Sequence, residues 1–377
     1  MIYLDNAATT RPDPDVLELF SKESFETFGN ANSPHRAGQD AAKELRKAKE
    51  EILSLLGVSS THRVLFCSGA TEANNLALKG VAFQYQSRGK KIVSDNGEHA
   101  SVKSPLKQLK EGFGFDVATL PIDENGVLTP SRLLEAMDSN TILVSAMAVN
   151  NEVGSVNDIA GLAKVVHSFP KAYFHVDATQ AIGKGKFPWK DVDLISFSGH
   201  KFGGLKGTGC LVLKKTIKLF PNNAGGTQED GFRAGTVNVA GALSIALALK
   251  KALKDQAANL EKAKALNARL REGLGKNPEI RINSPLDASP YLVNFSLLHK
   301  KASVVVEALS EAGIYVSSHA ACDEKADVGS PVLAAMGLEE GLAKNAIRVS
   351  FSHASDEGEI DAFLAKLNQI LLEVRDR

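Results

Sequence analysis

Residues 192–209 have the sequence VDLISFSGHKFGGLKGTG, in which an apolar run leads to a lysine and then to a loop with four glycines. The apolar residues 192–197 predict a buried strand. Lys201 follows this strand, where it is well placed to form a Schiff base with an aldehyde cofactor. Ser198 and His200 beside it could donate hydrogen bonds to a phosphate. The alternative is a surface lysine after an ordinary strand.

Length and composition favour one large domain with a smaller one. The 377 residues include 44 Lys plus Arg and 44 Asp plus Glu, so the net charge of zero indicates neither nucleic acid nor an anionic membrane as a partner. We expect no membrane span, since no apolar run reaches the roughly 18–20 residues required, and no signal peptide. The three widely spaced cysteines exclude a disulfide framework and a four-cysteine metal site, and they fit a reducing cytoplasm.

Short apolar segments alternate with helical patterns over much of the chain. Predicted strands cover residues 64–67, 91–94, 117–120, 141–149, 172–176, 192–197 and 210–213, and predicted helices cover residues 15–24, 70–83, 130–137 and 158–168. A further long helix is predicted with Ser33 as its cap and Pro34 at its first position, ending at Gly57. Because the strands are almost continuously apolar, we expect an α/β fold with a mostly parallel sheet covered by helices on both faces.

The pattern changes after residue 239. Residues 239–274, rich in Ala, Leu and Lys, predict a long helix, either continuous or broken. Beyond it we expect a smaller α+β domain with strands at 291–296, 314–317 and 347–350 and helices at 302–311 and 356–373. The predicted large domain is 15–255, and the predicted small domain is 1–14 plus 256–377, with the N-terminal arm packed against it.

The sequence SGATEANN at residues 68–75 predicts a strand end, a tight turn and a helix start. The backbone N–H groups of Ala70 and Thr71, with the Thr71 hydroxyl, could bind a phosphate at the positive end of this helix. The alternative is an ordinary capping sequence with Glu72 in the first turn.

Polar residues also follow other predicted strands. Asp177 falls at the carboxyl end of the strand at 172–176, where ligands of open α/β sheets bind, and its carboxylate could hold a pyridine nitrogen protonated. Gln180 could donate to the phenolic oxygen of such a ring. His99 could stack on the ring or simply cap a helix, whereas His175 is better explained as a satisfied core histidine.

Four further residues are candidates for binding the substrate or the phosphate, or for reacting with the substrate. Asn151 follows a buried strand and could bind a substrate carboxylate or the ring oxygen, and Thr236 in a glycine-rich loop could contact a phosphate. Arg348 is a lone cation in an apolar strand, which fits either a carboxylate clamp or a surface residue. Cys322 lies in a polar loop, which favours an exposed reactive thiol over a buried inert one.

In their order along the chain these motifs resemble the pyridoxal-phosphate-dependent cysteine desulfurases, the NifS/IscS-like group of the class V aminotransferase superfamily. The resemblance runs from YLDNAATT at residues 3–10 to the last helix, which is nearly the whole chain. It implies a fold-type I homodimer, with a large α/β domain and a smaller α+β C-terminal domain.

The resemblance also implies a role for each candidate residue. Lys201 would hold pyridoxal 5′-phosphate, Asp177 would pair with its pyridine nitrogen, and His99 would stack on the ring and move protons. Further cofactor contacts would come from Ala70, Thr71, Ser198 and His200 at the phosphate, from Gln180 and Asn151 at the ring, and from Thr236 across the dimer interface. Asn151 and Arg348 would bind the substrate carboxylate, Cys322 would carry the persulfide, and no metal is implied.

The implied activity is conversion of L-cysteine to L-alanine, with sulfur held on Cys322 as a persulfide. The sulfur would pass to a protein acceptor in the cytoplasm, such as an iron–sulfur scaffold or an enzyme of cofactor or tRNA thiolation. The alternatives are selenocysteine lyase, another class V lyase or aminotransferase, and a weakly catalytic scaffold or regulator. Cys322 favours desulfuration, and the presence of Lys201 and Asp177 argues against a scaffold.

Four positions depart from the family pattern. His319 replaces a glycine before the cysteine, Asp323 and Glu324 replace small hydroxyl residues after it, and Asp230 replaces an arginine. The two acids would raise the pKa of Cys322, whereas a cationic His319 or Lys325 would lower it. We expect these changes to affect sulfur transfer more than cofactor binding.

Overall fold

The computed structural model describes residues 1–318 and 329–374. Its largest layer is a seven-stranded sheet. The strands are β2 (His62–Cys67), β3 (Lys91–Asp95), β4 (Asp116–Leu120), β5 (Thr141–Met147), β6 (Tyr173–Asp177), β7 (Leu194–Ser198) and β8 (Gly209–Lys214), in the order β2-β8-β7-β6-β5-β3-β4. Only β8 runs against its neighbours, so the sheet is mostly parallel, as predicted.

Helices cover both faces of this sheet. They are α1 (Pro14–Glu26), α2 (Arg36–Leu55), α3 (Ala70–Tyr85), α4 (Ala100–Phe113), α5 (Pro130–Ala136), α6 (Ile159–His167) and α7 (Val239–Lys254). Successive strand residues enter opposite cores: Val64 packs with α2 and α7, whereas Leu65 packs with α3 and α4. This alternation explains why the strands are apolar at almost every position.

The start of α2 differs from the prediction. The predicted cap at Ser33 is wrong, because α2 begins at Arg36 and the Nδ1 of His35 accepts from the Gly38 N–H at 3.3 Å. The Ser33 N–H instead donates to the carbonyl of Asn30, closing a turn. This turn lies against the first turn of α2, where a Cβ on Gly38 would come within 2.4 Å of the Ser33 carbonyl oxygen.

The long helical pattern after residue 239 is broken at Asp255. α7 ends at Lys254, and α8 (Gln256–Gly275) follows at once. Ile245 of α7 packs against the large sheet, whereas Leu270 of α8 packs in a separate core. The break therefore places the two halves of the pattern in different cores.

A second, antiparallel sheet supports the C-terminal part. It has the order β12-β13-β10-β9, from β9 (Ile280–Ile282), β10 (Leu292–Leu297), β12 (Ser317–Ser318) and β13 (Ala346–Ser350). The accompanying helices are α9 (Ala302–Glu311), α10 (Pro331–Ala335), α11 (Glu340–Lys344) and α12 (Glu357–Glu373). β9, α10 and α11 are short elements that the sequence pattern does not predict.

The N-terminal arm joins this C-terminal part. β1 (Ile2–Tyr3) pairs in parallel with β11 (Ile314–Tyr315), and Leu4 is completely buried in the same core. This confirms the predicted packing of the arm, whereas the domain limits at residues 14 and 255 stay a prediction. Among the helices of residues 1–318 and 329–374, none has the length and apolarity of a membrane span.

Candidate active site

The candidate residues gather at one edge of the large sheet. β3, β5, β6 and β7 are parallel, so their carboxyl ends lie side by side. His99 follows β3, Asn151 follows β5, Asp177 ends β6, and Ser198 ends β7 just before Lys201. This is the edge at which open α/β sheets bind ligands.

Asp177 presents a buried carboxylate at this edge, only 5% exposed. Its Oδ2 accepts from the Asn74 side-chain amide at 2.8 Å, and its Oδ1 accepts from the Thr179 N–H at 3.0 Å. A carboxylate held in this way suits a protonated ring nitrogen, because opposite charges attract strongly when both are removed from water.

His99 lies directly before α4 and caps it. Its Nδ1 accepts from the Ser101 N–H at 3.1 Å and lies 2.8 Å from the Ser101 hydroxyl. Burial lowers the pKa of His99, although the charge of Asp177 acts in the opposite direction. The neutral ring therefore uses Nδ1 as an acceptor and carries its proton on Nε2.

The predicted phosphate site lies at the start of α3. The Ala70 N–H donates to the Ser198 hydroxyl at 2.6 Å, so two of the predicted phosphate residues are in contact. The N-cap residue of this helix is Gly69, which has no side chain to cap it, and Thr71 is exposed beside it. A Cβ on Gly209 would come within 2.5 Å of the Gly69 backbone, so β8 leaves room for the turn only because it begins with glycine.

Lys201 and Gln180 both contact the N-terminal arm. The Lys201 ammonium donates to the carbonyls of Ala7 at 2.6 Å and Ala8 at 2.8 Å, and the Gln180 amide donates to the same Ala7 carbonyl at 2.8 Å. Lys184 donates to the Gln180 side-chain oxygen at 2.7 Å, and burial lowers the pKa of Lys184 to about 7. Ala7 and Lys184 thus belong to the site, although the sequence analysis did not select them.

His200 faces the arm as well. Its Nδ1 lies 3.1 Å from the Thr9 hydroxyl, and its backbone carbonyl accepts from the Thr10 hydroxyl at 2.9 Å. Burial, followed by the charge of Lys201, lowers the pKa of His200 to about 4. The imidazole is therefore neutral at physiological pH and attaches the arm to the lysine turn.

The Arg348 side chain is largely buried and has two hydrogen-bond partners. One guanidinium nitrogen donates to the Asn151 carbonyl and another to the Asp5 carboxylate, both at 2.8 Å. Its Nε is buried with no hydrogen-bond partner among the described residues. The side chain is thus a clamp between the arm and the loop after β5, with Asp5 as its carboxylate partner.

The loop before α7 contains the predicted phosphate residue Thr236, which is exposed. No hydrogen bond in the described part of the chain brings its side chain to Lys201 or Asp177. Asp230, at the position where the family pattern has arginine, pairs with Arg63 at 3.1 Å, and the buried Glu229 pairs with Lys49 at 2.9 Å. Both acids therefore attach this loop to neighbouring elements.

The predicted nucleophile Cys322 lies outside the described residues, as do His319, Asp323, Glu324 and Lys325. Cys67 and Cys210 are free and buried, and burial raises the pKa of both thiols. Thiols in this state are poor nucleophiles, because the thiolate is the reactive form.

Asn74 is a further residue that sequence analysis did not select. It is completely buried on α3 and joins Asp177 to Ser101 and Ser196. The available signal was an amide in an otherwise apolar helix face. His175 is also completely buried, with both ring nitrogens bonded to serines, which confirms the prediction of a satisfied core histidine.

Comparison with known proteins places this fold and site in one family. The family described as Aminotransferase class-V matches residues 2–363, and the chain belongs to it. Members of this family depend on pyridoxal 5′-phosphate. The match confirms the family and the fold class predicted from the motifs.

The chain is also similar in sequence to individual proteins of known name. The chain is 37% identical over 375 residues to a "NifS/IcsS protein homolog" of Lactobacillus delbrueckii subsp. bulgaricus, covering 98% of this chain and 97% of that one. It is 37% identical over 383 residues to "Cysteine desulfurase IscS" of Pectobacterium carotovorum subsp. carotovorum, covering 100% and 94%.

Solved structures agree with these relatives. A "NIFS-LIKE PROTEIN" superimposes with a TM-score of 0.92 at 36% identity, covering 99% of this chain and 100% of that one. "SspA in complex with cysteine" superimposes with a TM-score of 0.81 at 28% identity, covering 94% and 100%.

Proposed function

We propose that this protein is a pyridoxal-phosphate-dependent cysteine desulfurase, which converts L-cysteine to L-alanine and retains the sulfur on Cys322 as a persulfide. The observation that carries the proposal is the buried Asp177 carboxylate at the same strand edge as Lys201 and the start of α3. The names of the relatives support the same reaction.

The residues present fit the cofactor. Asp177 would hold the pyridine nitrogen, and Lys201 would hold the cofactor covalently. The start of α3, whose N-cap residue is Gly69, would take the phosphate together with Ser198. When bound, pyridoxal phosphate supplies an electron sink for the substrate carbon that carries the amino group.

The side chains around this position handle protons and orientation. His99 keeps Nδ1 on the α4 cap, so its Nε2 is the nitrogen that can exchange a proton with the site. Lys184 fixes the side-chain oxygen of Gln180 and so turns the Gln180 amide toward the arm, where a ring oxygen could accept from it. The neutral state of His99 suits proton transfer near neutral pH.

Substrate and sulfur are assigned to the remaining candidates. Arg348 would bind the carboxylate of L-cysteine, with Asn151 beside it. The thiolate of Cys322 would attack the substrate sulfur, so that an S–S bond forms as the C–S bond breaks and the carbon fragment takes up a proton to become alanine.

Assembly and sulfur delivery complete the proposal. A homodimer would give the exposed Thr236 a phosphate contact in the second subunit. The persulfide would pass to a protein acceptor, such as an iron–sulfur scaffold or a thiolation enzyme. The odd number of cysteines supports a reducing cytoplasm as the location.

The test identifies the lysine that binds the cofactor and measures alanine formation from L-cysteine. Borohydride reduction followed by peptide mapping should label Lys201, and Lys201→Ala should form no alanine from L-cysteine. Lys206→Ala is the matched control, because Lys206 is an exposed lysine of the same glycine loop and should retain activity. A label on another peptide, or alanine formation in Lys201→Ala, would contradict the proposal.

A further inference from the structure

A row of buried polar side chains continues from Asp177 through the large sheet. Each member is at most 5% exposed. The row consists of Asp177, Asn74 on α3, Ser196 on β7, His175 on β6, Ser145 on β5, and Glu98 before α4. Buried hydrogen-bond rows of this kind have a defined donor direction, since each hydroxyl holds one proton and each neutral imidazole one N–H.

The direction can be derived from the Asp177 end. An ionised carboxylate only accepts, so Asn74 turns its amide nitrogen to Asp177 at 2.8 Å and its oxygen to Ser196. The Ser196 hydroxyl must then donate to that amide oxygen. It follows that Ser196 accepts from His175, whose Nε2 lies 3.0 Å away and carries the proton.

The same reasoning extends to Glu98. Burial lowers the pKa of His175 to about 4, so the ring is neutral and its Nδ1 accepts. The Ser145 hydroxyl, 2.9 Å away, supplies that proton. Ser145 Oγ lies 3.2 Å from Glu98 Oε1, a contact in which an ionised Glu98 would accept from the hydroxyl. Because the one proton of Ser145 goes to the neutral His175, we infer the opposite direction, with a protonated Glu98 donating to Ser145.

Ionised Glu98 would reverse the row. Ser145 would then donate to Glu98, the proton of His175 would move to Nδ1, and Ser196 would donate to the bare Nε2. The Asn74 oxygen would lose its donor, and a turned amide would place that oxygen against the Asp177 carboxylate. The Asn74 oxygen therefore keeps its donor only while Glu98, at the far end of the row, holds its proton.

We propose that Glu98 is a positioning residue held in its protonated form, whose proton directs the hydrogen bonds through Ser145, His175 and Ser196 so that the Asn74 oxygen keeps a donor while its nitrogen donates to Asp177. Asn74 also donates to Ser101 at 2.9 Å, and the Ser101 hydroxyl contacts His99 Nδ1, so the same proton orients both sides of the site. The effect on catalysis rests on the proposed function, whereas the direction of the row does not.

The charges around Glu98 agree with this geometry. Burial raises the pKa of Glu98 well above its usual range, and the neighbouring Asp95 and Asp177 raise it further. Asp95 is itself buried, with its pKa raised to about 7 by burial and lowered in part by Lys103. The other titratable groups beside the row are His175 and His99.

The first test measures the row in the full-length protein without cofactor. Imidazole nitrogen NMR should show His175 neutral with its proton on Nε2, with His175→Gln assigning its signals. Infrared spectra should show the carbonyl stretch of a protonated carboxyl that is lost in Glu98→Gln and kept in Asp95→Asn. A proton on His175 Nδ1, or no loss of the stretch in Glu98→Gln, would overturn the proposal.

The second test compares a variant that keeps the row with one that breaks it. In Glu98→Gln the glutamine amide still donates to Ser145, so His175 should keep its proton on Nε2. In Ser145→Ala the His175 Nδ1 loses the hydroxyl that donates to it, so the imidazole should populate both tautomers. In the loaded enzyme, kcat should be roughly tenfold lower in Ser145→Ala than in Glu98→Gln, with KM unchanged. Equal tautomer populations in both variants would overturn the proposal. Failure of the proposed function would remove activity from the wild type but leave the NMR and infrared results intact.

Discussion

Arg348 provides a test in which the structure predicts opposite effects for two neighbouring changes. Its guanidinium pairs with Asp5 and with the Asn151 carbonyl, and its Nε has no partner among the described residues. In the proposed role of Arg348, a substrate carboxylate would compete with Asp5. Arg348→Ala removes the clamp, whereas Asp5→Asn removes only the competitor.

The magnitudes follow from these contacts. A charge-assisted two-point contact with a carboxylate is worth about 2–4 kcal/mol, so Arg348→Ala should lower kcat/KM by roughly 30- to 1000-fold. The Asp5 pair is partly exposed at 14% and 20% of the two side chains. Release of such a pair is worth about 1 kcal/mol, so Asp5→Asn should lower KM by about fivefold.

The assay is alanine formation from L-cysteine at several substrate concentrations, with urea unfolding measured in parallel. Arg348→Ala leaves the Asp5 carboxylate without its cation, which also destabilises the fold. The double variant Asp5→Asn/Arg348→Ala removes this second effect, because no charge is left unpaired. It should recover stability but remain as inactive as Arg348→Ala.

Two results would refute the reasoning. Wild-type kcat/KM in Arg348→Ala would remove Arg348 from substrate binding. A loss of kcat/KM in Asp5→Asn as large as that in Arg348→Ala would show that the ion pair supports the arm rather than competing with the substrate.

Two further predictions concern the nucleophile and the core histidine. Cys322→Ala should bind the cofactor but release almost no sulfide or alanine and yield no trapped persulfide. Cys67→Ala is the control and should retain activity, because the Cys67 thiol is buried. Turnover at the wild-type rate in Cys322→Ala would exclude Cys322 as the nucleophile. The folded pKa of His175 is about 4 against 6.5 unfolded, so only the unfolded chain gains this proton as pH falls from 6.5 to 4. The free energy of unfolding, measured by urea unfolding, should therefore fall in this range by about 1.4 kcal/mol per pH unit more in the wild type than in His175→Gln. Equal pH slopes of the unfolding free energy in the two proteins would contradict this prediction.

Local patterns in the sequence were sufficient for the sheet and for much of the strand edge. The strands of the large sheet are apolar at successive positions because each face packs against helices, and this is visible without knowing which helices. Asp177 and Lys201 were found for the same reason, since Asp177 ends a buried strand and Lys201 follows another within a few residues. These features depend on neighbours in the chain.

The tertiary structure decided the contacts between distant residues. Arg348 meets Asp5, 343 positions away, and Lys201 meets Ala7, 194 positions away. Asn74 reaches Asp177 across 103 positions. Such pairs depend on how the arm, the sheet and α3 pack together, and no periodicity of a single segment contains that information.

Even one local prediction was overruled by packing. Ser33 before Pro34 is a strong helix-start signal, yet α2 begins at Arg36 because the turn at Asn30 closes against Gly38. Which residues follow strands, and which segments are helical, could thus be derived from the sequence. The packed structure was required to find the partners of each functional side chain and the donor direction of the row from Glu98 to Asp177. Both are set by contacts between elements that are distant in the sequence.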